Sequence, residues 1–227
     1  MKAYKLTDAN NKTKNNTQWG ENISHTATGK DDYLCSDGWI HFYTNELIAV
    51  LLNSVHANFP NPHLWEGETE GEHCHEPLKS GCKTLTTIKQ IPLPEISVTQ
   101  KVAFGILCGK EVCHDEQWNK WADNWLNNID RSPETAADVA YAVIWSAVAR
   151  AAADAWFAAA AARVAAADAR VAAYYTTRTA ADAAAARAAA AAHAAYYAAR
   201  AAWSAAGASA AGKKIDFIVI AQKAMSY

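Results

Sequence analysis

Leu64-Trp65-Glu66-Gly67-Glu68-Thr69-Glu70-Gly71-Glu72 alternates without a break. In an extended chain successive side chains point to opposite faces. Glu66, Glu68, Glu70 and Glu72 then share one face, and Trp65, Gly67, Thr69 and Gly71 share the other. The stretch predicts a half-exposed strand with a solvated carboxylate face. Working outward, residues 83–91 predict a second strand, stopped by Pro92 and Pro94. Lys2–Thr7 predicts a first strand, followed by Asn-rich turn chemistry at 8–17 (DANNKTKNNT). Gly38-Trp39-Ile40-His41-Phe42-Tyr43 is aromatic and β-prone. Asn45 suits the cap of a short helix over 46–55, ended by Pro60 and Pro62.

Beyond Pro94 the chain switches to helix. Ser97 with Gln100 predicts a capping box, with Val98, Val102, Ile106 and Cys113 following a helical face. Asp115 predicts the cap of a second helix, on which Trp118, Trp121, Trp125 and Leu126 form a narrow stripe, expected to join two modules. Ser132-Pro133-Glu134 is a strong helix start. Residues 133–212 contain 43 Ala in 80 positions, and neither Gly nor Pro interrupts 134–206. Ala has the highest helix propensity, but one unbroken helix here would run about 110 Å. Thr176-Thr177-Arg178-Thr179 interrupts it, so the expectation is helices 133–175 and 179–206, folded back on each other. A final helix is expected over 213–225, with Ile215, Ile218, Val219 and Met225 on one side; a strand over 215–220 is the alternative. The predicted class is α+β: a small mixed β-rich domain (1–96), a Trp-rich helical connector (97–131) and an Ala-rich antiparallel helical bundle (132–227).

Composition narrows the function classes. The chain has 227 residues and a net charge of −2. Because 52 residues are Ala, the core must come from nine Trp, nine Tyr and five Phe, enough to argue against disorder. Residues 1–130 carry 11 Lys, no Arg and 17 acids, a net −6. Residues 131–227 carry seven Arg and three Lys against six acids, a net +4. Two segments with different basic residues suggest two modules, and the near-neutral total argues against a general nucleic-acid coat. Cys35, Cys74, Cys82, Cys108 and Cys113 are odd in number, and Met1–Asp8 has no apolar signal region. Reduced thiols and a cytoplasmic location are expected. The most apolar run, 155–167, is interrupted by Arg163 and flanked by Asp154 and Asp168, so no membrane span is expected.

Several stretches carry a resemblance. Met1-Lys2-Ala3-Tyr4-Lys5, Cys35–Tyr43 (CSDGWIHFY), Leu64–Glu72 and Thr86–Pro94 (TTIKQIPLP), in that order, are similar to an uncharacterised family in phage and bacterial genomes. Its members often carry a Trp-rich linker like Trp121-Ala122-Asp123-Asn124-Trp125-Leu126 and an Ala-rich tail. The resemblance covers nearly the whole chain and implies a phage or mobile-element origin, with the host cytoplasm as location, and no established activity. The tail also resembles Ala-rich helical modules of some bacterial immunity proteins. Gly38–Tyr43, the following helix with Ala49, and Glu66–Glu72 resemble the middle of ADP-ribosyltransferase folds. The chain departs from that pattern: the first strand has no His-Gly or Arg-Gly pair, and Glu95, between Pro94 and Ile96, is a poor catalytic glutamate.

His73-Cys74-His75-Glu76 with Cys82 is the densest cluster of metal-ligating residues. Its spacing fits no zinc signature, so a polar surface turn is expected, and folding without metal. Cys108 and Cys113 sit in an apolar helical pattern and are expected in the core. With no P-loop, dinucleotide fingerprint or Ser-His-Asp motif, neither a catalytic residue nor a cofactor is expected.

An internal repeat supplies the candidate site. Ala172-Ala173-Tyr174-Tyr175-Thr176-Thr177-Arg178 matches Ala194-Ala195-Tyr196-Tyr197-Ala198-Ala199-Arg200, offset by 22. Tyr174 with Arg178, and Tyr196 with Arg200, fall at i and i+4 on one helix face. A tyrosine ring gives a base a stacking surface, and a guanidinium grips phosphate bidentately. The predicted site is Tyr174, Tyr175, Arg178, His193, Tyr196, Tyr197 and Arg200, holding a small anionic nucleotide between helices. The expected function is a phage-type binding or sequestering protein acting on such a ligand or on a host protein, self-associated as a dimer. The alternatives are an assembly protein, in which Tyr fills gaps between Ala helices, and an ADP-ribosyltransferase-like enzyme.

Overall fold

The computed structural model describes residues 1–132, 135, 195–196, 198–203, 205–207, 212 and 214–227. It has an α+β fold with an antiparallel sheet in the N-terminal part. The chain divides into two compact units, Met1–Glu95 and Ile96–Tyr227. Helices 133–175 and 179–206 of the expected bundle fall mostly outside the described residues.

The first unit holds strands β1 (Lys2–Thr7), β2 (Ile23–Thr26), β3 (Ile40–Phe42), β4 (His63–His75) and β5 (Ser80–Ile91), with helix α1 (Glu46–His56) between β3 and β4. The long β4–β5 hairpin is the spine. β1 runs antiparallel along one side of β4, with Lys5 opposite Trp65. On the far side of β5, β3 pairs with Ser80–Cys82 and β2 with Thr84–Thr87. Tyr4 of β1 also bridges Tyr43, just past β3, through two backbone hydrogen bonds of 2.8 and 2.9 Å. The path β1–β4–β5–β3 thus closes on itself, which leaves fewer unpaired edges. Ala3, Trp19, Phe42, Cys82 and Leu85 fill its core, with Ile40 packed against them.

Local chemistry explains these elements. The Asn45 carboxamide caps α1 by accepting from the Leu47 and Ile48 amides. Asn53 then stitches the exit of α1 to Phe59 with two hydrogen bonds, 3.0 and 3.1 Å. Asn11, Asn15 and Asn16 adopt left-handed backbone conformations in the 8–17 turn, which asparagine tolerates better than most residues. Glu68, Glu70 and Glu72 are exposed as the alternation predicts, and Glu66 pairs with Lys2 at 2.9 Å. Gly71 departs from the pattern: it is exposed rather than inward. The register shifts between Glu70 and His73, and Gly71 takes φ +79° in that bulge. The extra residue resets the alternation, so His73 enters β4 opposite Cys82.

The second unit contains α2 (Val98–Lys110), α3 (Glu116–Leu126), the C-terminal helix Phe217–Ala224, and helical residues at 195–196, 198–203 and 205–207. The Ser97–Gln100 capping box forms as expected, and the Asp115 carboxylate accepts from the Trp118 amide. A helical face was expected on α2; instead every residue from Val102 to Gly109 is buried. The cause is close packing on more than one side. A Cβ on Gly105 would lie 2.9 Å from the Ala198 Cα, and one on Gly109 would lie 2.8 Å from the Trp118 ring. Trp118, Trp121 and Trp125 are all buried in this unit. The C-terminal segment is helix, not strand, but its register differs from the expected one. Asp216 caps it, and Phe217, Ile220, Ala221 and Ala224 face inward while Val219 is exposed. Among the described residues no helix is long and apolar enough to cross a membrane.

Candidate functional site

Two of the seven predicted site residues, Tyr196 and Arg200, lie among those described; Tyr174, Tyr175, Arg178, His193 and Tyr197 lie outside them. Tyr196 and Arg200 stand one helical turn apart, and both are exposed. The reason lies in the alanines between them. Ala198, Ala199, Ala201, Ala202 and Ala205 are buried, and at 100° per residue all of them except Ala199 occupy the side of the helix opposite Tyr196. Ala198 meets Gly105 of α2, where two small residues let the backbones approach closely. The methyl face is spent on packing, and the ring and the guanidinium are turned outward.

Trp203 completes this face and was missed in the sequence. It lies seven residues after Tyr196 and is 48% exposed, with Tyr196 at 41%. The available signal was the i, i+4, i+7 spacing of Tyr196, Arg200 and Trp203, which the Tyr-Tyr-x-x-Arg repeat masks because Trp203 does not belong to it. Aromatic rings and a guanidinium are residue types that stack on bases and bind phosphate or carboxylate, and each of these three side chains also has a partner within the protein.

The histidine cluster of the first unit is built differently. His73 and His75 share a face of β4 with ring centroids 5.9 Å apart and planes within 3°. Phe42 meets both rings edge-on. The Thr69 hydroxyl lies 2.6 Å from His73 Nε2, and the Ser80 hydroxyl 2.8 Å from His75 Nδ1. The rings run parallel rather than converging, and among the described residues no three metal-ligating groups gather. Ser80 and Cys82 are buried, and burial pushes the Cys82 thiol up to about 11. Burial likewise raises the Cys108 thiol well above its ordinary value. Both remain protonated at neutral pH, unsuited to nucleophilic attack.

Lys5 is the other polar group aimed inward. Its ammonium donates 2.6 Å to the His41 carbonyl and sits 5.0 Å from the centre of the Trp19 ring. Burial lowers its pKa to about 8. A carbonyl and an aromatic face satisfy this cation within the fold, so it reads as a structural group.

No family model matches the chain, and comparison with curated proteins and with solved structures finds no match.

Proposed function

We propose that this is a non-catalytic binding protein of phage type, whose Ala-rich helical unit recognises a small anionic ligand carrying an aromatic base. The observation that supports this most is the outward face of Tyr196, Arg200 and Trp203, carried on a helix whose alanine side is buried. Aromatic rings and a guanidinium on one helix face are the residue types that stack on a base and bind its phosphate. The surrounding segment supports an anionic ligand, since residues 131–227 carry a net +4. The sequence repeats the unit at Tyr174, Tyr175 and Arg178, outside the described residues, and the proposal extends to that copy.

Calorimetric titration with a panel of linear and cyclic nucleotides tests this. Binding of at least one, lost in an Arg178→Ala/Arg200→Ala double variant, is expected. No heat with any of them, or binding unchanged in the double variant, contradicts the reading. An assembly role predicts a third pattern: inert, high-order oligomers by light scattering instead of a dimer.

A further inference from the structure

Of the five cysteines, Cys35 alone is exposed; Cys74 is half-buried, and Cys82, Cys108 and Cys113 are buried. Lys79, 44 residues further along the chain, stands beside it, and its ammonium donates 3.0 Å to the Cys35 sulfur. Neighbours hold both residues in place. Leu34 is buried against Gly81, where a Cβ would lie 2.6 Å from the leucine side chain, and its carbonyl meets the His41 ring. The Ser36 amide donates 3.1 Å to the Tyr33 carbonyl, and the Ser36 hydroxyl donates 3.2 Å to the Asp31 carbonyl. On the other side, Leu78 and Ser80 are buried either side of Lys79, and Ser80 pairs with Phe42 of β3. The Lys79 carbonyl accepts from the Glu76 amide at 2.9 Å. Two anchored segments thus present the sulfur and the nitrogen to each other.

We propose that Cys35 and Lys79 form a reversible, oxidation-driven cross-link, a sulfenamide, that pins the 27–38 segment to the turn between β4 and β5. A peroxide first oxidises the exposed Cys35 thiol to a sulfenic acid and is itself reduced to water or an alcohol. A sulfenic acid condenses with a thiol or a nitrogen within reach, and here an amine is already in contact. The neutral Lys79 amine attacks the sulfur. An S–N bond forms, the S–O bond breaks, and the hydroxyl leaves as water with a proton from the nitrogen. Two equivalents of a small thiol reverse the link, returning the Cys35 thiol and the Lys79 amine and leaving as a disulfide. Holding the two atoms together supplies the effective concentration that lets condensation outrun a second oxidation to sulfinic acid. The link lies wholly in the first unit and is independent of the ligand proposed for the helical unit.

The test treats the full chain with hydrogen peroxide at pH 8, alkylates the remaining thiols and cuts after glutamate. Cys35 then falls in the peptide 22–46 and Lys79 in 73–95, since the Glu76–Pro77 bond resists cleavage. The two peptides should be recovered joined, lighter than their sum by two hydrogens, with Cys74 and Cys82 both alkylated. That alkylation rules out a disulfide to either cysteine. Dithiothreitol should separate the pair. Lys79→Arg keeps the charge but lacks the primary amine, and Cys35→Ser lacks the sulfur. Each should lose the link, and in Lys79→Arg the Cys35 thiol should run on to sulfinic acid. Circular dichroism confirms that both variants keep the fold. A link that survives Lys79→Arg overturns the proposal, as does an unsubstituted chain in which Cys35 is recovered as free thiol, as sulfinic acid or in a disulfide.

Discussion

His41 and His56 each hold an imidazole inside the first unit, and burial lowers both pKa values to about 4. The His56 ring stacks on Tyr43 with centroids 5.8 Å apart, and its Nδ1 lies 3.0 Å from the Tyr43 hydroxyl. Tyr43 is the residue that closes the sheet onto Tyr4, so this contact ties α1 to the closure. His41 interacts through its ring nitrogen with the Leu34 carbonyl. In the unfolded chain these imidazoles titrate near their ordinary 6.5. Between pH 6.5 and 4 the unfolded chain binds protons that the folded unit refuses. Stability is therefore complete above pH 6.5 and falls as the pH drops toward 4, by no more than about 1.4 kcal/mol per pH unit for each histidine. Partial solvent access reduces that ceiling. Urea midpoints at pH 7 and pH 5 should show the loss, and a His41→Gln/His56→Gln variant should flatten it; an equal slope in the variant contradicts the assignment. The caps and the asparagine turns were legible because they depend on neighbours in sequence. The burial of Lys5 and His41 was not, because it depends on Trp19 and Leu34 arriving from other loops.

Helix α2 shows the same limit at the scale of elements. Its start was legible from Ser97 and Gln100, but its environment was not. Gly105 and Gly109 lie four apart on one face, and each leaves room for a different neighbour, Ala198 and Trp118 respectively. A methyl at Gly105 would press on the Ala198 backbone, which cannot move aside as a flexible side chain can. Gly105→Ala should cost about 1–3 kcal/mol by overpacking, although Ala is otherwise the better helix former. Gly207→Ala is the control, since nothing lies within 4 Å of a Cβ there. Thermal melts should show a drop for the first and little change for the second. If both variants melt like the parent, Ala198 does not pack on Gly105 as described. The β4 bulge teaches a similar lesson: period-two alternation located the strand, and Gly71 is the one residue in Glu70-Gly71-Glu72 that hints at the reset placing His73 opposite Cys82.

For the whole molecule, the division at Glu95 and Ile96 separates two kinds of chemistry. The first unit carries the acid-sensitive histidines and the sheet; the second carries small-residue packing and the outward aromatic face. Calorimetry at pH 5 should resolve two transitions, of which only the one that reports loss of β-structure moves with acid; a single transition with the same pH dependence throughout contradicts this. Metal should be immaterial to the first unit, because the His73 and His75 rings run parallel and each meets a hydroxyl of the fold. A strong chelator should leave the melting temperature unchanged, and a drop of more than a few degrees would overturn that. Two of the three residues of the candidate face, Tyr196 and Arg200, were legible from the repeat; Trp203 falls at i+7 from Tyr196, and the buried alanines fix that this side of the helix faces water. The central claim is that this side binds a base-bearing anion. Photo-crosslinking with an 8-azidoadenosine nucleotide, followed by tryptic mapping, tests it most directly. The account predicts adducts in the peptide ending at Arg200, which carries Tyr196, and in the peptide from 201 to 213, which carries Trp203. Adducts confined to residues 1–95, or no adduct that excess unlabelled nucleotide suppresses, would contradict it.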